Sequence, residues 1–149
     1  MKKGEKRNEM TLRFVSRSAN EAFARTAAAA FIAQMDPTVE QVYDIKTAVS
    51  EAVTNAIVHG YRDRLGTVTM TVRLFEPGMA EIVIRDKGCG IEDVHKAREP
   101  MFTTGGAERS GMGFTIMESF MDTLKVRSRP GRGTSVVMTR RLSGKTAEG

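Results

Sequence analysis

A chain of 149 residues, 40% hydrophobic and 28% charged, has the size and make-up of one globular domain with a buried core. Its net charge of +5 suits solubility, an acidic protein partner or a polyphosphate ligand, but Trp is absent and no basic stripe interleaves with aromatics, so direct nucleic-acid binding is not expected. No stretch reaches the roughly 20 apolar residues of a membrane span, the basic start MKKGEKRNEM leads into no hydrophobic region, and the single Cys89 permits no internal disulfide, so a cytoplasmic protein is expected.

In chain order, EMTLRFVS alternates Met10, Leu12 and Phe14 with polar neighbours and predicts a half-buried strand. Ser18 and Glu21 have the spacing of a capping box. The alanine-rich segment after them predicts a helix with Phe23, Ala27, Ala30 and Phe31 on one side. Asp36-Pro37 stops it, and a second helix is expected from about Thr38 to Ile57 or His59, ended by Gly60. TVTMTVRLF and AEIVIRD read as strands joined at the turn EPG. Residues 87–113 hold six glycines and Pro100, the composition of a functional or mobile loop. A short helix, FTIMESFM, is expected directly after Gly113, followed by strands TLKVRS and TSVVMTRR around RPGRG. Residues 1–7 and 143–149 read as solvated, disordered ends of a single domain, 1–149. The order predicts an α+β sandwich, a mainly antiparallel sheet with helices on one face.

Three constellations carry possible chemistry. Glu51 and Asn55 are i and i+4 neighbours on the second helix, with His59 one turn on; a carboxylate and an amide oxygen so placed can serve one hard cation and one reacting hydroxyl. Asp86-x-Gly88-x-Gly90 follows a strand, where an aspartate can accept a hydrogen bond from an exocyclic amine while glycines let backbone approach a flat ring. Gly111-Met112-Gly113 stands before a predicted helix, whose free N–H groups favour phosphate; Gly105 and Gly106 allow a hinge, and Arg109 can reach a terminal phosphate. Singly, these read as surface, a tight turn and a flexible loop. Their order on suitable elements gives them weight, and no Walker-type or kinase H-R-D and D-F-G motif competes.

With those residues in view, the chain resembles the ATP-binding superfamily of gyrase, histidine kinases, heat-shock chaperones and mismatch-repair ATPases. E-x-x-x-N at Glu51–Asn55 is similar to its N box, DKGCG to its first glycine box and GMG to its second. VSEAVTNAIVHGY, PMFTT and ERSGMGFTIMESFMD look closest to the anti-sigma serine kinases of spore-forming bacteria, of the type that restrains sigma-F, from about Asn8 to Leu142.

The resemblance implies a Bergerat-type two-layer sandwich, with a mainly antiparallel mixed sheet, and ATP and Mg²⁺ as cofactors. It makes Glu51 the general base, Asn55 the Mg²⁺ ligand and Asp86 the reader of the adenine amine, with Gly88 and Gly90 at the ring and Thr134 helping to fix it. An ATP lid would run from about Asp93 to Ser110, with Thr103, Thr104, Arg109 and Ser110 near the nucleotide. Gly111, Met112 and Gly113 would line its phosphates. The implied partners are a sporulation sigma factor, a phosphorylated anti-anti-sigma factor and a second copy in a homodimer, with no membrane. Arg25 is a plausible contact for an acidic partner and equally an ordinary solvated arginine. The lid TTGGAERSG departs from the family in its glycines and in lacking a lysine after the paired threonines. Alternatives are a stress-response kinase of the same group and a non-catalytic, ATP-gated sigma-binding protein. The ATP-binding half of a histidine kinase fits less well, because neither His59 nor His95 stands on a long dimerising hairpin.

Overall fold

The alternation of apolar and polar side chains builds one sheet, seen in a computed structural model that describes residues 3–99 and 106–142, with backbone alone for 106–112. The elements in chain order are β1 (Lys6–Val15), α1 (Ala19–Ile32), α2 (Val39–Asn55), β2 (Thr67–Phe75), β3 (Met79–Asp86), α3 (Val94–Ala97), α4 (Gly106–Phe120), β4 (Thr123–Arg129) and β5 (Gly133–Arg141). The sheet runs β1-β2-β3-β5-β4, and every pair among the described strands is antiparallel, so the sheet is not mixed.

Because side chains alternate across a strand, Phe14, Val68, Met70, Val72, Leu74, Ile82, Ile84, Val136 and Met138 share one sheet face. They form one core with Ala24, Ala28 and Ile32 of α1, Ile45, Val49, Ala52 and Val53 of α2, and Phe114 and Met117 of α4. Among the described residues no helix covers the opposite face, which carries residues such as Arg13, Thr69 and Arg85 that pair directly across β1, β2 and β3.

Several local expectations are corrected. Ser18 makes no side-chain cap; its backbone is already helical, and Glu21 instead lies 3.1 Å from Arg25 Nε one turn along. The capping box is at Thr38 and Gln41, where each side chain bonds the other's backbone N–H, at 3.1 and 2.9 Å. Phe23 is 56% exposed and Ala30 is exposed. The buried stripe of α1 is Ala24, Ala28 and Ile32, whose small residues let the helix approach α2 closely. Lys6 and Arg7 belong to β1, where Arg7 reaches Glu76 at 3.2 Å. Residues 143–149 lie outside the described residues.

Two features of the glycine-rich stretch differ from a plain loop. Asp93 caps α3 by accepting the Lys96 N–H at 3.0 Å. Helix α4 begins at Gly106 rather than after Gly113, because Ala107, Glu108, Arg109 and Met112 are strong helix formers that offset Gly111 and Gly113.

Candidate functional site

Helix α2 packs Ile45, Val49, Ala52 and Val53 against the core, which leaves Glu51 and Asn55 on its half-buried flank. Continuing it, residues 56–60 form a π-helical turn. Such widened turns recur at functional sites, and here the turn carries His59 and Gly60 to the mouth of a cavity of about 600 Å³. Asn55, Gly60, Asp86, Gly90, Phe114 and Thr134 are among the residues that line it.

Asp86 ends β3 with only 9% of its surface exposed. Its Oδ1 accepts the Gly88 N–H at 2.9 Å. Burial pushes its carboxyl above the ordinary aspartate value, and the backbone hydrogen bonds from Gly88 and Thr134 only partly oppose this. Thr134 is the residue directly across from Asp86 on β5, and its hydroxyl lies 2.8 Å from that of Ser128. A buried carboxylate with spare acceptor capacity, set in the cavity beside the apolar Ala52, Ala56, Ile84 and Phe114, is suited to an amine donor.

The glycines hold this floor in place. A Cβ on Gly88 would stand 1.9 Å from the Gly60 carbonyl oxygen, and one on Gly60 would stand 2.8 Å from Asp86 Oδ1. Gly90 has φ +76° and its Cβ would strike the Arg129 carbonyl oxygen. The Cys89 N–H also bonds Gly60 O at 2.8 Å. The π turn, the DKGCG loop and the β4–β5 turn therefore nest backbone on backbone.

At the other end, a Cβ on Gly113 would lie 3.1 Å from Asn55 Nδ2 and 3.3 Å from both Asn55 Oδ1 and Glu51 Oε1. The structure thus brings Glu51, Asn55 and Gly113 together, and brings Asp86, Gly88, Gly90 and Thr134 together. Asn55 Nδ2 is buried without a hydrogen-bond partner among the described residues. Among the described residues no cluster of three or more His, Cys, Asp or Glu forms a metal cage. One amide oxygen beside one carboxylate fits Mg²⁺, which commonly takes its remaining ligands from water and substrate phosphates.

The remaining sequence candidates fall elsewhere. Thr103 and Thr104 lie outside the described residues, whereas Arg109, Ser110, Gly111 and Met112 are described only as backbone. Gly111, Met112 and Gly113 do not precede a helix: they lie within α4, where backbone N–H groups are spent on the preceding turn. Arg25 is on α1, beside Glu21. Gly60, Lys96 and Phe114 line the cavity but were not singled out from the sequence. Gly60 read only as a helix stop, and the packing that requires it involves Asp86, which is remote in sequence.

Similarity to known proteins places the chain in a family. Residues 14–140 match the histidine kinase-like ATPase domain family. The chain is 56% identical to an anti-sigma F factor of a Thermoanaerobacter species, over 89% of this chain and 93% of that protein. It is 52% identical to the anti-sigma F factor of Geobacillus kaustophilus, over 92% and 94%. Among solved structures, the RsbU and RsbW domains of a Mycobacterium tuberculosis protein align with TM-score 0.68 at 18% identity, over 91% of this chain and 33% of that one. A blue-light activated histidine kinase of Erythrobacter litoralis aligns with TM-score 0.58 at 24% identity, over 82% and 42%. Those two show a shared fold, while the sequence matches carry the kinship: the chain belongs to the histidine kinase-like ATPase domain family and, within it, to the group of anti-sigma F factors.

Proposed function

We propose that the chain is a protein serine kinase and anti-sigma factor that sequesters a sporulation sigma factor and phosphorylates a serine of its anti-anti-sigma antagonist. The observation that carries this reading is the closeness of Glu51 Oε1 and Asn55 to Gly113, with Asn55 lining the same cavity as the buried Asp86. The names of the relatives, anti-sigma F factor, supply the regulatory half.

When bound, Mg-ATP supplies the transferable phosphoryl group and the charge neutralisation that such transfer chiefly needs. Asp86 accepts the adenine amine, with Thr134 beside it, and Gly88 and Gly90 keep the floor flat. Asn55 offers its amide oxygen to the metal. Glu51 would accept the proton of the substrate serine as that oxygen bonds the γ-phosphorus and the bond to the β-phosphate oxygen breaks, releasing ADP. Gly111, Met112 and Gly113 hold phosphate through N–H groups that become free only when the first two turns of α4 unwind. Thr103, Thr104, Arg109 and Ser110 would complete the lid.

Arg25 and the exposed Phe23 give α1 a surface of charge and apolar area for the sigma factor. The chain would act as a cytoplasmic homodimer, its contact made by α1 and β1, a strand at the edge of the sheet. Among the described residues no helix is long and apolar enough to cross a membrane.

Phosphotransfer from labelled Mg-ATP to the small antagonist tests this, with Glu51→Gln beside the unmodified protein. The expected result is acid-stable label on one serine and at least about a hundredfold loss of transfer in the variant, with nucleotide affinity retained. Equal transfer by the variant would remove Glu51 from the chemistry. Binding without transfer by either protein would leave a nucleotide-gated binder.

A further inference from the structure

The helix-free face of the sheet has a second hollow, about 630 Å³, behind Asp86. Arg13, Arg64, Arg85 and Lys87 line it, together with Thr67 and Thr69. Arg13 pairs across β1–β2 with Thr69, and Thr69 pairs across β2–β3 with Arg85. The two arginines therefore project from one cross-strand row, their Cα atoms roughly 10 Å apart by two strand spacings, with a hydroxyl between them.

None of the four cations makes an ion pair among the described residues. Among the described residues that line the hollow, the one carboxylate is Asp86, and its side chain turns to the other face of β3, where it accepts the Gly88 N–H. Like charges gathered this closely repel one another. They remain gathered because the wall is held from several sides. Tyr61 donates its hydroxyl to Thr67 O at 2.8 Å and accepts the Lys87 N–H at 2.7 Å. Arg64 lies 5.6 Å from the centre of the Tyr61 ring and donates to Lys87 O at 3.0 Å. Ser16 and Gly66 exchange two hydrogen bonds, each 2.9 Å. The hollow is thus built in advance, concave and uncompensated.

We propose that it is an anion site for a small polyphosphate, distinct from the nucleotide cavity. Guanidinium groups bind phosphate oxygens in parallel pairs, and two arginines flanking a threonine hydroxyl match a chain of linked phosphates better than a lone carboxylate. The cations lie within one compact hollow and do not run as a stripe along the surface, which favours a small anion over a long one.

The test is an amide-resonance titration of the full chain with inorganic tripolyphosphate, after saturation with Mg²⁺ and a non-hydrolysable ATP analogue. The variant is Arg13→Gln/Arg85→Gln, with Lys125→Gln on the outlying strand β4 as a charge control. Both arginines are exposed, so the variant keeps its core. Saturable shifts at Thr67, Thr69 and Lys87 are expected, weakened at least about tenfold in the double variant and unaltered in the control, with analogue binding the same in all three. Shifts at Asn55, Ala56 and Gly90 report the nucleotide cavity separately, so loss of one site is not mistaken for loss of the other. The proposal is overturned by no saturable shift at the three amides, or by equal affinity in the double variant. It is also overturned if an acidic oligopeptide or duplex DNA saturates the same amides at a tenfold lower concentration, which would make this a surface for a macromolecule.

Discussion

Asp86 is costly to the empty protein, and the cost has a sign. Its folded pKa lies above the ordinary value near 3.8, because burial disfavours the carboxylate more than the Gly88 and Thr134 hydrogen bonds restore it. Between those two values the folded chain holds a proton that the unfolded chain has released. Stability of the nucleotide-free protein therefore falls as pH rises through that window, and the full cost is present above the folded pKa. Asp86→Asn keeps an acceptor for the Gly88 N–H and removes the buried charge. It is expected to be more stable than the unmodified chain at pH 7, with the gap narrowing toward pH 4; urea unfolding at both pH values reads this. The same substitution should weaken ATP binding at pH 7 by roughly tenfold to a hundredfold, the worth of a hydrogen bond to a charged group. An unchanged affinity would take adenine recognition away from Asp86.

At the scale of elements, the strands and α2 were legible because each writes its period into the chain. Met10, Leu12 and Phe14 alternate, and Ile45, Val49, Ala52 and Val53 return to one helical face. Helix starts were less legible. Ser18–Glu21 and Thr38–Gln41 both have capping spacing, but only at Thr38 is the backbone extended so that the side chain can turn back to the free N–H. The site divided the same way. Asp86 and its glycines stand on one short stretch, whereas Gly60 matters through a carboxylate that folding brings to it.

The glycines of α4 were read as a boundary, yet they lie inside the helix. Each costs about 1 kcal/mol there relative to alanine, so the first turns of α4 are weak where the proposed phosphate contacts need them to open. Gly111→Ala is expected to raise the melting temperature of the nucleotide-free protein by roughly 2–4 °C and to weaken ATP binding severalfold, because unwinding then costs more. Calorimetry and nucleotide titration on one sample decide it. A stabilised variant with unchanged affinity would show that the phosphates are held without unwinding α4.

For the whole molecule, the question is what keeps the helical layer in register with the sheet so that the proposed catalytic flank of α2 meets the cavity. Apolar contact fixes the separation of the layers but is non-directional. A directional tie is made by Arg140 of β5, whose Nη2 lies 2.8 Å from Asp44 Oδ2 on α2 while Nη1 lies 3.7 Å from Asp122 at the start of β4. Asp44 is 7% exposed, so removing its carboxylate leaves a largely buried guanidinium with a distant partner. Asp44→Ala is expected to cost roughly 2–3 kcal/mol, or about 4–12 °C in melting temperature at this chain length. Asn55 lies farther along the same helix, roughly 16 Å at 1.5 Å per residue, and effects at that distance add independently. Saturating ATP at about a hundred times its Kd should therefore raise the stability of variant and parent alike by about 2.7 kcal/mol. Thermal unfolding of both proteins with and without nucleotide separates the possibilities. Parallel increments would mean that the Asp44–Arg140 tie holds the fold and leaves the site's shape to the nested glycines; a lost increment in Asp44→Ala would mean that α2 shifts as a rigid rod and carries Glu51 and Asn55 out of place.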